Sequence, residues 1–144
     1  MQHAREDLVR FTSGLSDEET WAQTHGLAPL GFHLRHIAGS VERLTVYLCG
    51  GVLTEAQLAA MRSEMSPGDS LAGLLAAIDA SFQHAEALVR TIDPATLAEP
   101  RGIGRKQLPT TVGGIVVHIA EHTQHHVGEA IVMAKLLRSL AAAS

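Results

Sequence analysis

LGFHLRHIAGSVERLTVYL, residues 30–48, decides how the chain folds. Leu34, Ile37, Val41, Leu44 and Leu48 recur at spacings of three and four. That period puts all five on one face of an α-helix, and strand alternation has no place in it. Pro29 suits the first helical turn, and Gly50-Gly51 stops the helix. A helix with one apolar face needs partners to cover it, and the flanking sequence supplies them.

Upstream, Leu8 and Phe11 mark a helix over about Gln2–Thr12, ended by Ser13-Gly14. Ser16 followed by Glu19 is a capping-box pattern and opens a short helix carrying Trp21. Downstream, residues 51–68 form a connection with a short helix over TEAQLAAMRSEM, broken by Ser66-Pro67-Gly68. A third long helix opens at Asp69 or Ser70 and runs to about Thr91, where Asp93-Pro94 ends it. AEPRGIGRKQLPTT reads as a loop. The fourth long helix, capped by Thr110 or Thr111, runs from about Val112 to Ala141, with Val116, Ile119, Val127, Ile131 and Leu136 as its apolar positions. The expected fold is all-α: one domain over residues 1–144, a four-helix bundle with long connections and short additional helices.

Composition narrows the function classes. The chain has 144 residues, 46% of them hydrophobic and 18% charged, as globular domains do. Its net charge of −4 offers no basic excess for phosphates, so no nucleic-acid partner is expected. No run of 18 apolar residues is present and the start has no apolar signal segment, so neither a membrane span nor secretion is expected, and a cytoplasmic location is. The single cysteine, Cys49, cannot form an internal disulfide and reads as a packing residue at a helix end.

The last helix carries His118, His122, His125 and His126 on about two turns. His118 and His122, and His122 and His126, are four apart; His122 and His125 are three apart. Either spacing lets two imidazoles approach one cation. Two ligands do not make a stable zinc site, because a catalytic zinc takes three protein ligands and keeps one open position. The second long helix offers His33 and His36, three apart. If it packs beside the last helix, His36 can complete the set. Most lone histidines on helices are structural or exposed, and His3, His25 and His84 take that reading. HIAEH, residues 118–122, matches the H-x-x-E-H pattern of inverted zinc peptidases, but too little chain follows His122 to supply their distant acidic ligand and large domains. Arg101 or Arg105, in the Gly-rich loop, is a candidate for binding an anion beside the metal.

GFHLRHIAGSVERL and LPTTVGGIVVHIAEHTQHHVGEA, with the order of the helices, resemble the DinB/YfiT-like superfamily of metal-binding four-helix bundles. The second segment is similar to an H-x-x-x-H-x-G-Q signature. The resemblance implies that His36, His122 and His126 hold a divalent metal, zinc or nickel, and that His33, His118 and His125 lie beside the site or on the surface. Glu129 departs from the pattern, which usually has Gln there. The resemblance also implies a homodimer and, in some members, thiol-dependent transferase or isomerase chemistry with a low-molecular-weight thiol. A thiol S-transferase acting on a small electrophile is the leading expectation. Hydrolysis by cation-activated water, and a non-catalytic metal-binding or dimerising module, are the rivals.

Overall fold

A computed structural model describes residues 1–143 and is helical nearly throughout. The elements are α1 (Gln2–Thr12), α2 (Asp17–Trp21), α3 (Leu30–Leu48), α4 (Glu55–Arg62), α5 (Leu71–Arg90), a 3-10 turn (Pro94–Thr96), β1 (Pro100–Ile103), β2 (Leu108–Thr111) and α6 (Val112–Ala143). The four long helices α1, α3, α5 and α6 form the expected bundle. α3 is its centre and packs against both α5 and α6, while α1 closes the side between α6 and α5. No described helix is long and apolar enough to cross a membrane.

The stripe on α3 does what its spacing predicts: Leu34, Ile37, Val41, Leu44 and Leu48 are all buried. They meet Leu74, Ile78 and Phe82 from α5 and Ile115, Ile119 and Val127 from α6. The anticipated cap is present as well: Ser16 and Glu19 form a reciprocal capping box on α2. Thr54 and Gln57 form a second one, not anticipated, on α4. Each satisfies two helix-end amides that have no partner within the helix.

Three expectations need correction. The buried face of α6 runs Val112, Ile115, Ile119, Thr123, Val127, Ala130, Ala134, Leu137. Val116, Ile131 and Leu136 flank that stripe and are only partly buried. Ile115, Ile119, Val127, Met133 and Leu137 carry the contact, with Thr123, Ala130 and Ala134 between them, so apolar size alone did not separate this face from its flank. Cys49 is exposed; the apolar face of α3 ends at Leu48, and Cys49 is already the C-cap. The stretch read as a loop contains a two-stranded antiparallel hairpin, with Pro100 opposite Thr111 and Ile103 opposite Leu108. Its turn uses Gly104 and Gln107 in left-handed backbone conformations. Such short strands have too few residues to display alternation.

A second set of contacts ties the α4–α5 connection to α3. The Arg35 guanidinium donates through Nε and Nη2 to Asp69 Oδ2 (3.0 and 2.7 Å) and through Nη1 to the carbonyl of Ser63 (2.9 Å). Its cationic face stacks on the Trp21 ring at 4.5 Å. One side chain thus fixes the segment that lies over the middle of α3.

Phe82 is the largest fully buried side chain. Phe82→Ala should destabilise the chain by about 3–5 kcal/mol, read as a lowered midpoint in urea unfolding followed by helical circular dichroism.

Candidate metal centre

α3 and α6 lie side by side, so the histidines of the two helices face each other. His36, His122 and His126 converge, with one ring nitrogen from each lying within 4.8 Å of the other two. His36 Nε2 and His122 Nε2 are 3.2 Å apart. Two nitrogens bound tetrahedrally to one zinc at roughly 2.1 Å sit about 3.4 Å apart. The observed spacing fits that edge with little movement.

Two of the three rings are held from behind by carboxylates. His36 Nδ1 lies 2.6 Å from Glu64 Oε2, and His126 Nδ1 lies 2.6 Å from Glu129 Oε2. An ionised carboxylate only accepts, so each Nδ1 carries the proton and donates. Each Nε2 is then left with its lone pair toward the cluster. This is the arrangement in which an outer carboxylate fixes a ligand's tautomer and orientation and raises its basicity. With His36 Nδ1 donating to Glu64, its Nε2 accepts from His122 Nε2–H; to hold a cation, His122 would carry its proton on Nδ1 instead.

Glu64 was not anticipated. It lies just beyond α4, in what reads as a connection, yet is only 5% exposed. Burial alone would push its carboxyl up, but the hydrogen bonds from His36 and from Arg43 Nη1 (2.6 Å), with the Arg43 charge, outweigh it and hold it below the usual carboxylate range. Gly39 makes room for the pair: a Cβ there would stand 2.8 Å from Arg43 Nη1 and 2.9 Å from Glu64 Oε1. One signal was available. Arg43 follows His36 by two helical turns, so one face of α3 presents two donors in need of a shared acceptor.

The other candidates are placed as follows. His33 is 8% exposed, its Nδ1 lies 3.3 Å from Glu129 Oε2, and the geometry is not that of a hydrogen bond. His125 is exposed and its Nε2 lies 3.3 Å from Glu129 Oε1. His118 is exposed, with its ring 5.4 Å from that of His122. Arg101 is occupied elsewhere: Nε donates to Leu48 O (3.0 Å), Nη1 to Pro100 O, and Nη2 to Glu99. Arg105 instead lines a cavity of about 420 Å³ whose wall includes His36, His122 and His118. Arg43, Arg62, Ser40 and Tyr47 also line it, with apolar surface from Leu44, Leu53, Leu58, Met61 and Ile103. No acidic residue does.

Burial and the neighbouring histidines push His122 down to about 4. Burial first, then His36, also lower His126, against the opposing pull of Glu129. Both rings are therefore neutral, and ligand-competent, at neutral pH.

The profile of the DinB superfamily matches residues 1–130. The chain belongs to the DinB superfamily. No curated protein matches it. Among solved structures, this DinB chain is similar to a DinB-like protein from Bacillus cereus ATCC 10987, with a TM-score of 0.68 and 17% identity over 94% of this chain and 86% of the other. At that identity the likeness speaks for the fold alone, and it agrees with the helical bundle found in this DinB chain.

Two outcomes follow from this geometry. Glu64→Gln should weaken divalent-metal affinity by about 10–100-fold, measured against a chromophoric chelator, while Glu55→Gln on the exposed face of α4 leaves it unchanged. For the metal-free chain, His122 is an ordinary histidine near 6.5 when unfolded and stays neutral to about 4 when folded. The unfolded state therefore binds the proton first, so stability is complete above pH 6.5 and is lost as pH falls toward 4. Thermal melts of chelator-treated protein between pH 7 and 5 should fall more steeply for wild type than for His122→Gln.

Proposed function

We propose that this chain is a metal-dependent enzyme that joins a low-molecular-weight thiol to a small electrophile. The observation that carries the reading is the convergence of His36, His122 and His126, two of them locked by carboxylates, with His36 and His122 at the wall of a cavity of about 420 Å³. His36, His122 and His126 would hold the cation through Nε2, and the donor set suits zinc or nickel. A bound divalent cation supplies Lewis acidity, which lowers the pKa of a thiol or water that reaches it.

The chain's own residues do the rest. His118 stands at the cavity edge, one turn before His122, where it can take the proton a thiol gives up. Arg105 extends from the hairpin turn into the cavity wall and offers a guanidinium to an acidic group of the thiol or electrophile. The apolar surface from Leu44, Leu53, Leu58 and Met61 excludes water and suits the carbon body of a substrate. Arg43 is committed to Glu64 and keeps His36 oriented rather than contacting substrate.

The test pairs composition with turnover. Protein made without a histidine tag should hold about one zinc or nickel per chain, lost in His36→Ala, His122→Ala and His126→Ala. Loaded protein should consume an epoxide or chlorinated electrophile only when a thiol is added, and Arg105→Ala should raise KM for an acidic thiol more than it lowers kcat. Turnover without thiol would transfer the assignment to hydrolysis. Absence of metal in wild type, even after zinc and nickel are offered, would overturn the enzyme reading.

A further inference from the structure

Glu129 is the residue at which this chain leaves the resembled signature, and it stands among three imidazoles. His126 Nδ1 is 2.6 Å from Oε2, His33 Nδ1 is 3.3 Å from the same oxygen, and His125 Nε2 is 3.3 Å from Oε1. The two longer separations differ in kind from the first. A charged hydrogen bond closes to roughly 2.7–2.9 Å or less, as His126 does. A separation of 3.3 Å matches the edge of about 3.4 Å between two ligands tetrahedrally disposed on one zinc.

His33 sharpens the point. It is 8% exposed, and its Nδ1 is buried with no hydrogen-bond partner. A buried polar atom without a hydrogen bond is costly, and here that nitrogen lies beside a carboxylate oxygen. That oxygen has two lone pairs. One accepts from His126, which leaves the second for another partner. On this side of α6 a separate cavity of about 590 Å³ is lined by His33, His125, Gly128 and Glu129. It shares no lining residue with the cavity beside His36 and His122.

From this geometry we infer a second divalent-cation site, built from His33 Nδ1 and the Glu129 carboxylate. His125 swings in as an exposed third ligand, and water completes the shell. The ligand class is a borderline cation that accepts both imidazole and carboxylate, with zinc as the probe. A glutamine at 129 would offer a neutral amide oxygen and no charge, so the departure from the signature is what makes the site. The two cation positions are linked through His126 and Glu129. A cation on Glu129 draws charge from the carboxylate, loosens its hold on His126 and weakens the three-His site. The second step therefore opposes the first.

Titration of tag-free, chelator-treated protein with Zn²⁺, followed by calorimetry and by competition with a chromophoric chelator, tests this without any activity assay. Wild type should bind in two steps, the second weaker. His33→Leu and Glu129→Gln should each lose the second step and keep the first, with the first weaker in Glu129→Gln. His122→Ala should lose the first and keep the second, so failure of the three-His site is distinguishable from failure of this one. Melting temperatures of the metal-free variants report folding. If His33→Leu does not fold, Glu129→Gln, whose side chain is 40% exposed, decides the question. A single step in wild type, or two steps retained in Glu129→Gln, would overturn the inference.

Discussion

A carboxylate buried against a histidine and an arginine organises this molecule. Glu64 reaches α3 from a connection that supplies no other buried residue between Thr54 and Ser70. Burying a charge alone costs several kcal/mol, and it is tolerable only when the charge is paired and hydrogen-bonded. Glu64 meets both conditions by engaging Arg43 and His36 together. The same contact holds the α4 segment against the bundle and aims a metal-competent nitrogen at α6. Structure and site are therefore coupled here: whatever weakens the carboxylate's place loosens both.

The metal-competent face is also asymmetric. His36 and His126 are backed by carboxylates, whereas His122 has none and rests on other imidazoles. His122 is the ring most depressed by burial and by its neighbours. Two strong, oriented donors and one weaker, adaptable donor make a set that holds a cation while leaving its environment adjustable. The cavity beside His36 and His122 carries guanidinium groups and no carboxylate, which sets its electrostatic character apart from the side where Glu129 lies.

Much of this was legible in the sequence, for identifiable reasons. The stripe on α3 was legible because Leu34, Ile37, Val41, Leu44 and Leu48 are all large and apolar. That on α6 was only partly so, because Thr123, Ala130 and Ala134 share the buried face with Ile115, Ile119, Val127, Met133 and Leu137 while the equally bulky Val116, Ile131 and Leu136 stand beside it. The three converging histidines followed from helix spacing together with family resemblance; spacing alone left His33 and His118 equally open. Glu64 escaped because its partners lie 21 and 28 residues away in sequence, on another element. Helical periodicity describes neighbours on one helix and carries no information about which loop residue folds back onto it. The hairpin escaped for the related reason that four-residue strands hold only two cycles of alternation. Arg101 and Arg105 were indistinguishable as sequence, and only the hairpin's register sends one to the backbone of α3 and the other to the cavity.

The cavity's outer wall is made by α4 and the hairpin, and neither contributes a single buried residue. Exposed positions away from special contacts usually tolerate substitution within about 0.5 kcal/mol. Apart from Glu64, which follows α4 and ties it to His36, the frame that holds the histidines is built from other residues than the cover of the cavity. Met61, Arg62 and Arg105, all exposed, can be exchanged in combination with little effect on the stability of the bundle. A scaffold divided in this way is well suited to directed evolution, in which the lining of the cavity is rewritten on the cover while the three histidines beneath are left alone.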